Sequence, residues 1–165
     1  MIRKANLKDL DQIMNIISDT VEEMKTYNNT QWDENYPQVK DFENDINNGD
    51  LYVDLLDDQV VGFICVNYVE PDEYKCINWV SNAKCMIVHR MAVNSNYRNK
   101  KIGTRLMEFA EELAKTNNVS YLKTDTYSLN VKMNSLFQKF GYQLAGEMSF
   151  LGKEFHFNCY DKILG

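Results

Sequence analysis

Eight consecutive residues, Tyr97-Arg98-Asn99-Lys100-Lys101-Ile102-Gly103-Thr104, place three cations and a glycine directly ahead of a helical repeat. The first N–H groups of a helix lack intrahelical partners and carry the positive end of its dipole. A basic turn in that place is a seat for phosphate. A solvated loop has the same composition, so the turn alone leaves both readings open. Neither G-x-x-x-x-G-K-[ST] nor G-x-G-x-x-G occurs, which excludes the two better known nucleotide loops.

Two elements must hold this turn. Before it, Met86, Ile87, Val88, Met91, Ala92 and Val93 form an apolar run broken only by His89 and Arg90, the pattern of a buried strand. After it, Ile102, Leu106, Phe109, Ala110 and Leu113 recur at helical spacing, with Arg105, Glu108, Glu111, Glu112 and Lys115 on the other side. The order strand, basic turn, helix implies a cofactor site.

Arg98, Lys101 and Gly103 occupy the three specified positions of Arg/Gln-x-x-Gly-x-Gly/Ala, and in this setting the chain resembles the GNAT superfamily of acyl-CoA N-acyltransferases. Lys101 replaces the first glycine, which suits a backbone that is already helical and an ammonium that faces phosphate. The second half is similar too: Tyr121-Leu122-Lys123-Thr124-Asp125 reads as a strand, Asn130 to Phe140 as a helix and Gly141-Tyr142 as its exit. The resemblance spans most of the chain. It implies an α/β (α+β) GNAT fold, a mixed sheet of about six to seven strands flanked by about four helices.

The resemblance also implies a reaction. Acetyl-CoA lies in a V-shaped opening between two neighbouring parallel strands, its acyl carbonyl on backbone N–H groups at a strand end that here is Met91-Ala92-Val93. The cofactor residues carried over are those three with Arg98, Asn99, Lys100, Lys101, Ile102, Gly103, Thr104, Asn130, Asn134 and Phe137. An amine attacks the thioester directly, so catalysis is placement plus proton management. His89, four residues before Val93 and titrating near neutrality when unperturbed, is the candidate proton acceptor; a histidine satisfied by hydrogen bonds beside Arg90 is the other reading. His156, between Phe155 and Phe157, reads as a core or edge residue. Many members carry a tyrosine where this chain has Phe137, leaving Tyr127 or Tyr142 as substitute proton donors, and Phe137 to pack on the pantetheine arm or in the core. Asn130 suits a helix cap as well as a cofactor contact.

On the acceptor side, Tyr27, Trp32 and Tyr36 with Glu22, Glu23, Asp33 and Glu34 suit a cationic amine of a small molecule or peptide. The same residues also suit a loop anchored on the core by its aromatics. The departures at Lys101 and Phe137 keep a second class open, a catalytically retired acyl-CoA-binding sensor or partner-binding module.

Composition bounds the rest. The 165 residues fit one domain, 1–165, with an ordinary core. The start at Met1-Ile2-Arg3-Lys4 does not resemble a signal peptide and no apolar run reaches membrane length, so a cytoplasmic protein without a membrane partner is expected. Cys65, Cys76, Cys85 and Cys159 lack C-x-x-C pairing and read as structural thiols, with no metal. A net charge of −6 argues against a nucleic-acid partner, while the basic turn remains a local exception suited to an anionic cofactor. The oligomeric state stays open, a homodimer included.

The remaining map is coarse. A strand is expected at Ile2–Ala5, a helix capped by Asn6 through Ile17, and a second helix from Thr20 to about Thr26. Tyr27 to Pro37 reads as a loop and Val39 to Ile46 as a short helix. Leu51–Leu56 and Val60–Tyr68 read as a hairpin turned at Asp57-Asp58-Gln59. Val69–Lys84 shows no period, and Phe150–Phe157 and Asn158–Leu164 are expected as the last strands.

Overall fold

The computed structural model describes residues 1–165. In chain order its elements are β1 (Ile2–Lys4), α1 (Leu10–Lys25), α2 (Val39–Asn47), β2 (Leu51–Leu56), β3 (Gln59–Asn67), β4 (Met86–Val93), α3 (Ile102–Thr116), β5 (Tyr121–Tyr127), α4 (Val131–Lys139), β6 (Gln143–Met148) and β7 (Phe157–Ile163). The strands form one mixed sheet in the order β1-β2-β3-β4-β5-β7-β6. Every neighbouring pair is antiparallel except β4–β5.

That parallel pair creates the site. Its ladder runs only from Met86↔Leu122 to Val88↔Thr124. Beyond Val88, β4 stays with β3 as far as Gly62↔Val93, and β5 stays with β7 as far as Tyr127↔Phe157, so the two strands part. A bulge supplies the bend: Ile64 pairs with Met91 and Val66 with Val88, so His89 and Arg90 together oppose Cys65 alone. At the fork, Thr124 Oγ1 donates to the Val88 carbonyl at 2.9 Å, satisfying an acceptor that the parted strands would orphan.

Alternation along β3 divides the core between two helical layers. Phe63 and Cys65 pack with Ile13 and Ile17 of α1 and Phe42 of α2. Ile64 and Val66 pack with Leu106 and Ala110 of α3 and Phe137 of α4. A third cluster, with Tyr74, Tyr121, Tyr127 and Phe157, fills the β5–β7–β6 end. Its Tyr74 comes from a short 3-10 turn, Asp72–Cys76, inside the stretch that shows no period in the sequence.

Two expectations need correction. The helix expected from Thr20 to Thr26 is the end of α1, which runs unbroken to Lys25. No Gly or Pro interrupts it, and Val21 and Met24 prolong the buried stripe of Ile13, Ile16 and Ile17. The strand expected at Phe150–Phe157 lies earlier, at Gln143–Met148, and a loop turns at Leu151 (φ 55°) and Gly152 (φ 65°). β6 is a half-exposed edge strand interrupted by Gly146, so its apolar alternation is weak. The aromatic residues that mimic a strand, Phe150 and Phe157, serve the third cluster, Phe150 from the loop.

Candidate active site

Between the parted strands lies a cleft of about 510 Å³. β4 contributes His89, Met91, Ala92 and Val93 to its wall, and the following turn and helix contribute Arg98, Asn99 and Gly103. Asn130, Lys132, Met133, Leu136 and Phe137 form the facing wall, and Tyr27, Gln31 and Trp32 close the end beside α1. A Cβ built on Gly103 would stand 3.5 Å from Leu136 Cδ2 and 3.8 Å from Met91 Cε, so the glycine keeps a narrow part of the cleft open. The α3 N-terminus with its free N–H groups, the Arg98 guanidinium and this narrow waist fit a slender chain that ends in a diphosphate. No group of three or more His, Cys, Asp or Glu side chains is placed to hold a metal ion.

Several residues carried over from the motif do not reach this wall. Lys100, Lys101, Ile102 and Thr104 lie outside it, as do Asn134 and Tyr36. Lys101 is the helix cap and adopts φ 57°, so the helical backbone expected for it is replaced by the left-handed region, where a glycine would sit without strain. Asn134 has no capacity left for a cofactor. Its Nδ2 donates to the carbonyls of Tyr127 (3.0 Å) and Asn130 (2.8 Å), and its Oδ1 accepts from Asn158 (2.9 Å) and Tyr160 (2.6 Å). Asn130 caps α4 through Met133 N–H at 3.1 Å and donates to Gln31 Oε1 at 2.7 Å.

One acidic side chain crosses the cleft. Glu23 of α1 pairs with Arg98 and with Lys132, tying the basic turn to α4. A diphosphate entering here would compete with Glu23 for both cations. Exposed pairs of this kind are individually weak, so Glu23→Gln is expected to tighten acetyl-CoA binding by roughly three- to tenfold in calorimetry. Weaker binding would make Glu23 a supporting contact and not a competitor.

At the fork, His89 Nε2 lies 2.6 Å from Asn67 Oδ1. Asn67 Nδ2 donates to Asp50 at 3.1 Å and its Oδ1 accepts from Val69 N–H, which fixes the amide. The imidazole therefore donates through Nε2 and keeps Nδ1 as an acceptor. Burial first, and the Arg90 charge second, lower its pKa to about 4. The folded state binds fewer protons than the unfolded one between pH 6.5 and 4, so His89 costs stability as pH falls through that window. Next to it, Arg90 is committed to Asp45 of α2 by two bonds, 2.7 and 2.6 Å, and to Tyr36 Oη at 2.9 Å.

A second chamber, about 60 Å³, opens on the far side of His89. It shares Gln31, Trp32, His89 and Asp125 with the cleft and adds Tyr36, Phe150 and Phe157. Two loops close over it. Gln31 accepts from Thr126 Oγ1 (3.2 Å) and Asn130 (2.7 Å), and Lys153 pairs with Asp33 at 2.9 Å.

A sequence model of the Acetyltransferase (GNAT) family matches residues 12–142. The chain belongs to this family. Among solved structures, a GNAT acetyltransferase of Streptococcus agalactiae 2603 is 26% identical with a TM-score of 0.87, covering 100% of this chain and 95% of that one. A Staphylococcus aureus Mu50 protein assigned as an acetyltransferase is 31% identical with a TM-score of 0.80, over 100% and 99% of the two chains. The uncharacterized protein YdhI of Bacillus subtilis (strain 168) is 37% identical over 90 residues, about half of each chain (53% and 53%).

In this acetyltransferase three wall residues, Asp125, Gln31 and Lys132, carry no mark of that role in the sequence. Asp125 is visible there only as the last residue of a strand pattern, yet it is the first β5 residue past the final β4–β5 pair, where a parallel sheet opens its ligand crevice. Glu23 stands among acids near the acceptor loop; its pairing with Arg98 joins residues far apart in the chain.

Proposed function

We propose that this GNAT acetyltransferase transfers the acetyl group of acetyl-CoA to a primary amine of a small molecule or peptide, by direct attack in a ternary complex within the cytoplasm. Residues 1–165 act as one catalytic domain. The observation that carries the reading is the pair of cavities meeting at the fork: a long cleft with a basic, helix-capped mouth on one side of His89 and a small chamber on the other. One cavity suits the acyl donor and the other the amine.

When bound, acetyl-CoA supplies an activated acyl group as its thioester. Arg98 and the α3 N-terminus hold the diphosphate, and Gly103 lets the arm pass. Backbone N–H groups of β4 beyond Val88, freed from any β5 ladder partner, are available to polarise the acyl carbonyl. His89, neutral across the physiological range, accepts a hydrogen bond from the attacking nitrogen at Nδ1 and sets its direction. Cys65, Cys76, Cys85 and Cys159 are free thiols, consistent with a reducing compartment.

The test is release of free CoA from acetyl-CoA with a panel of primary amines, alongside calorimetric acetyl-CoA binding. Binding without amine-dependent release would instead assign the chain as an acyl-CoA sensor. His89→Gln is expected to lower kcat about a hundredfold while acetyl-CoA affinity stays within twofold of wild type. Because the imidazole titrates near pH 4, the substitution leaves the pH profile between about 6 and 8 unchanged in shape. Full turnover in His89→Gln would make the imidazole a structural part of the bulge.

A further inference from the structure

Asp125 sits on the partition between the two cavities, sharing that position with Gln31, Trp32 and His89. Half-buried at that position, it differs in its surroundings from the buried carboxylates. Asp9 faces Arg3, Asp45 faces Arg90, and Asp54 faces Arg105 and the N-terminal ammonium. Asp161, away from the cleft, accepts from Val80 N–H as well as from Tyr121 Oη. Asp125 has neither a cation nor a backbone donor. Tyr74 Oη donates to its Oδ2 at 2.6 Å, and Oδ1 has no protein partner. The charged and titratable groups around it are Tyr74 and Glu73 from the 3-10 turn, Cys159 opposite it on β7, and His89 and Arg90 on β4. None supplies a free positive charge: Arg90 is paired with Asp45 and bonded to Tyr36, and His89 is neutral. A carboxylate with no counter-charge from the protein and one oxygen open to the cavities is free to receive a cation from outside.

Resting on the transfer reading above, we infer that Asp125 is the carboxylate that receives the acceptor's ammonium at the fork and takes its proton, so that the neutral amine forms beside His89 Nδ1. An N–H bond of the ammonium breaks, its electron pair stays on nitrogen, and an O–H bond forms on Asp125 Oδ1. The nitrogen then forms its bond to the acyl carbon while the C–S bond breaks. That electron pair leaves with sulfur, which ends protonated by the nitrogen's surplus proton, and Asp125 returns its own proton to solvent. Trp32, Phe150 and Phe157 give an ammonium apolar and ring-face surroundings, and the small chamber limits the bulk an acceptor can carry on that side of its nitrogen.

The electrostatics agree with this assignment. Burial raises the Asp125 carboxyl to about 6, the Tyr74 hydrogen bond lowers it, and Glu73 raises it. At neutral pH the group is ionised and a stronger base than an ordinary aspartate. The neutral-range ionisation expected of His89 from its residue type thus falls to Asp125.

Putrescine, ethanolamine and phenethylamine serve as acceptor probes for wild type, Asp125→Asn, Tyr74→Phe and His89→Gln, read as CoA release from about pH 5 to 9 and as acetyl-CoA affinity. Asp125→Asn is expected to lower kcat/KM for every accepted amine by on the order of a hundredfold, with acetyl-CoA affinity within twofold of wild type. The acid limb near pH 6 persists in His89→Gln, disappears in Asp125→Asn and moves upward in Tyr74→Phe, which loses the bond to the ionised form. Tyr74→Phe keeps the test open should Asp125→Asn fail to fold. Asp125→Asn is also expected to melt no lower than wild type at about pH 7.5, since an ionised group without a counter-charge has been removed while an amide oxygen can still accept from Tyr74. Retention of kcat/KM within threefold, or of the acid limb, in Asp125→Asn overturns the inference. Wild type that binds acetyl-CoA but releases no CoA with any of the three amines overturns it as well, while leaving cofactor binding in place. Wild type that fails to bind acetyl-CoA overturns the transfer reading itself.

Discussion

Gly103→Val should fold like the wild type and bind acetyl-CoA more weakly. The backbone at Gly103 lies in the first turn of α3 and is not left-handed, so a side chain costs no helix propensity there, a β-branched residue ranking above glycine in a helix. Its Cβ would meet Leu136, Met91 and Val93 at 3.5, 3.8 and 3.9 Å, ordinary contact distances. The two γ-methyl groups have no such room. They extend beyond the Cβ toward the waist between the end of β4 and α4, which the proposed complex uses for the pantetheine arm. Overpacking of this kind costs about 1–3 kcal/mol, so affinity should fall roughly ten- to hundredfold in calorimetry, with Gly103→Ala between the two. Gly62 is the contrasting position: a Cβ there would stand 2.9 Å from Ile102 and 3.1 Å from the Ala92 carbonyl, so Gly62→Ala should lower the melting temperature before any ligand is added. Undiminished binding in Gly103→Val would mean that the arm takes another route.

The parts of this site that are legible in the sequence are contiguous. β4, the basic turn and the start of α3 lie within one short stretch, and each has a strong local period, so strand, turn and helix emerge at Met86–Val93 and Ile102–Thr116. The β2–β3 hairpin is legible for a similar reason. Asp57 (φ 49°) and Asp58 (φ 60°) take the two left-handed positions of a tight turn, a role that aspartate tolerates. The hidden parts depend on long-range contacts. Tyr74 and Asp125 are 51 residues apart, and Tyr74 belongs to a segment without period whose only regular piece is one short turn. Asn134 is legible as an asparagine near a helix start, able to reach a cofactor amide and its own helix terminus; Tyr160 and Asn158, brought by β7, use its oxygen completely. The β6 edge strand carries too little apolar alternation to compete with the aromatic loop after it.

Arg90→Met should be the most destabilising single change near the fork. The guanidinium and Asp45 retain only 19% and 8% of their side-chain exposure. Burial works to lower the Arg90 pKa, and the Asp45 hydrogen bond reverses it, raising the pKa and keeping the pair charged in the folded state. Removing the cation leaves Asp45 buried beneath α2 with no counter-charge, a loss of about 3–5 kcal/mol by comparison with broken buried pairs elsewhere. Arg90→Met/Asp45→Leu removes both charges and should recover most of that loss in chemical denaturation, because the desolvation cost disappears with them. The functional effect comes through Tyr36. Its hydroxyl accepts from Arg90 at 2.9 Å, so in either variant that wall of the chamber loses its tether. On the proposed reading KM for the amine should rise, while acetyl-CoA, which that reading seats on the other side of His89, should bind as before. A double variant less stable than Arg90→Met would show that Asp45 does other structural work. A single variant within about 1 kcal/mol of wild type would show that the ion pair does not clamp α2 to the sheet.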